Sequence, residues 1–244
     1  MGAKPDDDGN YPQSDRPPIL LMPGMFQSFD AYLRPGAMNE KSIAFQLLDA
    51  GWDVWIGNNR GTQYSEGKNK KPFGWTDQAS HDLPNFLEVM LLNSQYEKID
   101  YIGYALGATQ MIYGMAYNSP FYEDRINMMI GLAPCMKMDS ATNMIFERLV
   151  SFYHQLYDLE NIHKIKAIND DDFTDLYDDI CSGKESDDEK KFSYWICLLR
   201  EHGDRQIQIP IRSILHLMQN HLRKGFYEYD EAAGTAKAVM ESKT

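Results

Sequence analysis

Tyr101-Ile102-Gly103-Tyr104-Ala105-Leu106-Gly107 is the stretch on which the reading of this chain turns. Residues Ile99 to Ile102 read as a short buried strand that stops at Gly103. Residues Ala105 to Tyr117 follow without a spacer and are rich in small side chains suited to a closely packed helix. A strand that passes directly into a helix through Gly-x-Ala-x-Gly has the context of the nucleophile elbow, G-x-S-x-G, where a strained turn holds the middle side chain above a sheet. Gly103, Tyr104 and Gly107 form the elbow, and Ala105 stands at its apex. Alanine has no hydroxyl to activate, so the apex carries no nucleophile.

Outward from that turn the pattern repeats. Pro18 to Met22 is an apolar run ended by Pro23-Gly24. Lys41 to Ala50 has apolar residues at helical spacing, with Gly51 as a C-terminal stop. Trp52 to Ile56 is strand-like, and Gly57-Asn58-Asn59-Arg60-Gly61 is a turn cluster. Asp77 to Asn93 carries one helical stripe of Leu83, Phe86, Leu87, Met90 and Leu91. Ile126 to Leu132 is a further apolar strand, closed by Ala133-Pro134. Strands alternating with helices over residues 19–134 predict an α/β fold, a short parallel sheet of about four strands with helices on both faces.

After residue 134 the sequence predicts helices and no further strand. Met144 to Tyr157, Phe192 to Arg200 and Ile211 to Leu222 are amphipathic, and Asp170 to Lys191 is a dense acidic stretch. The expected organisation is an acidic tail over 1–18, an α/β core over 19–138, a helical cap-like region with an acidic loop over 139–208, and a C-terminal helix and tail over 209–244. A tail of that composition stays mobile unless something such as a partner chain holds it.

Composition narrows the function. The chain has 24 Lys plus Arg against 36 Asp plus Glu, a formal net charge of −12, which opposes binding to a phosphate backbone. The three cysteines, Cys135, Cys181 and Cys197, are odd in number and without CxxC spacing, which fits reduced thiols in an intracellular compartment. The organelle stays open, mitochondria included. Residues 1–15 lack a signal or transit pattern, and no apolar run reaches the roughly 20 residues of a membrane span. His154, His163, His202 and His221 lack zinc-site spacing, and the acidic stretch lacks the glycine and ligand pattern of a calcium loop, so a solvated face is the simpler reading and no metal or cofactor is expected.

Longer stretches carry a resemblance. Arg16-Pro17-Pro18-Ile19-Leu20-Leu21-Met22-Pro23-Gly24-Met25, the block from Ser42 to Gly61 (SIAFQLLDAGWDVWIGNNRG), Asp82-Leu83-Pro84, the elbow and Ala133-Pro134 resemble the acid lipases, the gastric, lysosomal and fungal sterol-ester α/β-hydrolases. Ser213 to Gln219 and Gly225 to Asp230 resemble later motifs of that family more weakly. The resemblance implies that the family's serine falls at Ala105. It also implies that the oxyanion-loop His-Gly-Leu reads Pro23-Gly24-Met25, leaving the backbone N–H groups of Met25 and Leu106 as a vestigial oxyanion hole. The family's Asp and His follow the segment matched by Gly225 to Asp230, and the chain ends at Thr244 before either. The expectation is therefore a truncated α/β-hydrolase fold that lacks all three triad members. His81-Asp82, His216 and Gln219 match positions that are structural in the family.

In the family's strand order, Trp52 to Ile56 and Ile126 to Leu132 become the two edges of the sheet, with hardly a Lys or Pro to blunt pairing. Such edges call for a cover, and other protein subunits are the expected partners at both. Three readings follow. The first is a lipase-like pseudoenzyme serving as an accessory or structural subunit of a larger assembly. The second is a serine-to-alanine variant or fragment of an active ester or lipid hydrolase, whose missing strands sit on a separate chain. The third is a non-hydrolytic lipid-binding module lined by Met25, Phe26, Tyr104 and Leu106.

Overall fold

A computed structural model describes residues 13–25, 27–35, 41–65, 73–136, 153–161, 167–168 and 209–234. Two compact units share them. One comprises residues 1–60 and 76–134, the other residues 61–75 and 135–244.

The first unit is built on four parallel strands, β1 (Pro18–Met22), β2 (Asp53–Ile56), β3 (Ile99–Tyr104) and β4 (Ile126–Leu132), in the order β2-β1-β3-β4. Ile19 lies opposite Val54 on one side and Asp100 on the other, and Tyr101 pairs with Met129. The crossovers are α1 (Ile43–Asp49) between β1 and β2; α2 (Trp75–Asp77) and α3 (Leu83–Leu92) between β2 and β3; and α4 (Leu106–Tyr117) with α5 (Ser119–Arg125) between β3 and β4. Ser42 starts α1 by accepting a hydrogen bond from the Phe45 N–H, and Gly51, at φ +96°, ends it.

β1 is central and has helices above and below, so its apolar run is unbroken. Leu20 and Met22 face a core of Leu83, Leu87 and Met90 from α3, Tyr101 from β3, and Met111 and Tyr122 from α4 and α5. Ile19 and Leu21 face the other way, against Tyr32, Ala44 and Ile102. On that second face α1 covers the β1–β2 half. Over β4, Met128, Ile130 and Leu132 stay exposed.

Several expectations are corrected. The helix expected over 77–93 is interrupted: residues 78–82 form a wider π-type turn between α2 and α3. Pro84 has no N–H for the carbonyl of Ser80, and its ring crowds that carbonyl, so the chain widens just upstream. Helix α5 adds to the expected elements: residues 118–125 carry no assignment in the sequence reading, and Pro120 sits in the first helical turn, where its missing N–H leaves no bond unmade. The tail reading of 1–18 is too long. Pro18 opens β1, and Ser14 bridges to Ser94, its N–H donating to Asn93 O (2.9 Å) while its carbonyl accepts from Gln95 N (3.0 Å). The chain's own residues 93–95 hold Ser14.

The second unit also departs from expectation. Residues 61–75, expected in the core, belong to it. The absence of strands after 134 is overturned by β5 (Ala167–Ile168) and β6 (Ile209–Pro210), an antiparallel pair too short to show a period of two. Its helices are α6 (Tyr153–Asn161) and α7 (Ile211–Leu222), the latter with the expected bounds. The expected helix at 192–200, the 144–152 part of the preceding one and the acidic stretch 170–191 lie outside the described residues. Among those described, no helix is long and apolar enough to cross a membrane.

Candidate active site

The elbow forms where β3 gives way to α4. Ala105 has φ 47° and ψ −111°, a conformation that L-residues adopt at a penalty of about 1–3 kcal/mol. Both of its backbone groups are fixed. Its N–H donates to Leu132 O (2.8 Å), and its carbonyl accepts from Thr109 N (3.1 Å) and Thr109 Oγ1 (3.2 Å).

The flanking glycines are there for close approach. A Cβ on Gly103 would lie 2.5 Å from Ala108 N and 2.7 Å from Ala108 Cα. A Cβ on Gly107 would press on the carbonyl oxygens of Met22 and Pro23, 2.7 Å from the latter. Neither backbone has room to yield, so β3, α4 and the end of β1 meet only through glycine. From below, the Tyr101 hydroxyl donates to Gly107 O (2.6 Å). The Tyr32 hydroxyl donates to Met22 O (2.9 Å). Burial pushes both phenols above the usual tyrosine range, so they act as neutral struts.

The loop after β1 lies over the elbow. A Cβ on Gly24 would sit 3.2 Å from Tyr104 Cδ1 and 3.3 Å from the Ala105 methyl. The Gly24 N–H is committed to Gln27 Oε1 (3.1 Å). Of the two residues expected to supply oxyanion donors, Met25 follows Gly24 on this loop and Leu106 opens α4 directly after the apex. Ala105 is half-buried, Leu106 buried and Tyr104 exposed. Phe26, expected to line the same pocket, lies outside the described residues. Among the described residues, no histidine or carboxylate bonds to Tyr104, Ala105 or Leu106, and no cluster of His, Cys, Asp and Glu forms a metal site.

The Asn58-Asn59-Arg60 block holds the loops at this end of the sheet. Asn58 Oδ1 accepts from Phe29 N (2.9 Å), fastening the loop after β2 to the loop after β1. Asn59 Nδ2 donates to Gln110 Oε1 (3.4 Å), Gln110 Nε2 to Gln78 Oε1 (2.7 Å), and Gln78 Nε2 to Arg60 O (3.2 Å). Arg60 Nε reaches both Asp82 oxygens (2.8 and 2.9 Å), and that hydrogen bonding raises the arginine's proton affinity further. Asp82 is thus spent on Arg60, while His81 is exposed. Gln78 and Gln110 carry this network, and no signal in the sequence distinguished them from ordinary helix residues.

In the second unit, His216 and Gln219 hold the segment Phe226–Gly234. His216 stacks on Trp75 at 4.6 Å and its Nε2 lies 2.7 Å from Tyr227 O. Burial lowers its pKa to about 4, so it is neutral at physiological pH. Gln219 exchanges two 2.8 Å hydrogen bonds with the backbone of Asp230.

A parallel sheet with a strained strand–turn–helix apex at its carboxyl end is the frame of the α/β-hydrolases. The family model described as the alpha/beta hydrolase fold matches residues 17–165, and the chain belongs to that family. Its relatives include lipases. It is 31% identical to Triacylglycerol lipase 1 of Arabidopsis thaliana over 177 residues, 68% of this chain and 43% of that protein. It is 34% identical to a probable lipase of Schizosaccharomyces pombe over 120 residues, 46% of this chain and 27% of that one. It is 28% identical to the gastric triacylglycerol lipase of Bos taurus, over 58% of this chain and 37% of the lipase. The chain therefore spans between about a quarter and two fifths of these relatives' lengths. Among solved structures, the DcsB complex with its substrate analogue superposes with a TM-score of 0.54 at 13% identity, covering 93% of this chain and 69% of that one, a likeness of fold.

Proposed function

We propose that this chain is a catalytically silent lipase-like protein that works as an accessory or structural subunit. The observation that carries the reading is Ala105 at the apex of the elbow: the strained backbone is kept and the hydroxyl is not. Without the oxygen no acyl-enzyme forms, and loss of a triad serine removes several orders of magnitude of rate. The Met25 and Leu106 N–H groups persist in this reading as a vestigial oxyanion hole.

The structural half of the proposal rests on β4. Its edge carries Ile126-Asn127-Met128-Met129-Ile130-Gly131-Leu132, without a charged residue, and Met128, Ile130 and Leu132 are 45%, 39% and 40% exposed. A polypeptide that adds to this edge would take up its free backbone groups, and the part of it laid over that face would cover the three side chains; β2, the other edge, is the second docking point.

The test is hydrolysis of short- and medium-chain p-nitrophenyl esters by the purified protein and by Ala105→Ser. Neither is expected to exceed the uncatalysed rate. Turnover by the protein itself would overturn the silent reading; turnover gained only by Ala105→Ser would show an intact acid–base pair and favour a variant of an active carboxylic ester hydrolase. Isolation as a stable, monodisperse monomer would remove the support for a subunit role.

A further inference from the structure

The second unit contains a buried joint that the elbow does not use. Glu160, on α6, is 2% exposed. Its Oε1 takes the Arg212 Nε hydrogen bond at 2.8 Å, from the first turn of α7. Arg212 also extends Nη1 to Glu231 at 3.2 Å, in the segment that follows α7, and lies over the ring of Tyr229 at 5.3 Å. One guanidinium thus ties three parts of the chain and serves two carboxylates. The second Glu160 oxygen, Oε2, is buried with no hydrogen-bond partner, and the buried Tyr229 hydroxyl has none either.

We propose that Glu160 is a proton-uptake site and that the joint between α6, α7 and the 226–234 segment tightens as the pH falls. An ionised carboxylate whose second oxygen is out of water and unpaired is held at a penalty. A proton taken from solvent onto Oε2 removes the buried charge and leaves Arg212 to Glu231. The groups facing Glu160 are Arg212 from α7, Glu231 and Tyr229 from the following segment, and Tyr153 and Tyr157, which lie with it on α6 and act on Tyr229. Arg212 favours the charged form and Glu231 opposes it. Burial exceeds the arginine's effect, so Glu160 holds its proton above the usual carboxylate range.

The sign follows from linkage. The unfolded chain releases the Glu160 proton at about 4.3, and the folded chain releases it higher. Between those values the folded state binds more protons, so this group adds stability as the pH drops. Buried His216 works in the opposite direction, so the test is a difference. Thermal unfolding of the full chain and of Glu160→Gln is followed from pH 7.5 down to about 4.3, the unfolded midpoint. The wild type is expected to gain on the variant steadily as the pH falls, the unfolding equilibrium shifting up to about tenfold per pH unit once the folded midpoint is passed. A difference that stays constant across that range overturns the proposal. If Glu160→Gln does not fold, the Glu160 carboxyl carbon of the wild type, assigned through bonds from its backbone, is titrated by NMR. A midpoint above 4.3 supports the proposal, and one at or below it refutes it.

Discussion

Replacing Ala105 by glycine should stabilise this protein, against the usual effect of a new glycine. At φ 47° and ψ −111° the alanine Cβ crowds its own backbone, and such conformations store about 1–3 kcal/mol. Glycine adopts them freely. It also gives the unfolded chain more freedom, which costs about 0.4–1 kcal/mol. Taking the middle of each range, the balance is a net gain of about 1.3 kcal/mol, and for a chain of this size each kcal/mol moves Tm by about 2–4 °C. The expected rise is therefore about 3–5 °C, read by differential scanning calorimetry. Ala44→Gly, in the buried face of α1, is the control and should lower Tm by the ordinary helix penalty of about 1 kcal/mol together with its lost packing. If Ala105→Gly falls as Ala44→Gly does, the apex is not strained and the elbow argument fails. A gain without loss of a measurable activity is also what a silent site predicts, because in a working hydrolase the strained turn aims the nucleophile.

Gly107→Ala should do the reverse, driving a methyl into the carbonyls of Met22 and Pro23; a loss above about 3 kcal/mol, seen as a collapse of folded yield and Tm, is expected. Tyr101→Phe removes the hydroxyl that serves Gly107 O and should lower urea-unfolding stability by about 1–3 kcal/mol with an unchanged m-value. His216 has a folded pKa of about 4 against about 6.5 unfolded, so the unfolded state binds the proton first and stability falls as the pH drops below 6.5. By pH 5.5 that loss amounts to about 1 kcal/mol and should be absent in His216→Gln, whose amide still reaches Tyr227 O.

The position of β4 at one end of the sheet and the elbow after β3 are both legible in the sequence. β1 is a continuous apolar run because it lies inside a parallel sheet, β3 and β4 are apolar apart from Asp100 and Asn127, and such runs are visible to a one-dimensional reading. The turn at Gly103 to Gly107 was equally plain, since its two glycines and its alanine are a local pattern. The interruption at 78–82 was not, because the helical stripe of Leu83, Leu87 and Met90 continues in phase and only Pro84 hints at the widened turn. β5 and β6 have two residues each, and no periodicity survives at that length.

By itself, then, the sequence determined the alternation of the four parallel strands with their principal helices, the lipase likeness and the missing hydroxyl at Ala105, since each is a matter of residue identity and near-neighbour spacing. The tertiary structure decided what the polar residues are for. Asn59, Gln78 and Gln110 meet across chain distances that no local pattern spans. Arg60 and Asp82 are 22 residues apart and bond directly. Glu160 became a site only when folding took its carboxylate out of water beside Arg212, 52 residues on, and left one oxygen without a donor. Charge and hydrogen-bonding capacity are written in the chain; whether they are satisfied depends on what long-range packing places against them.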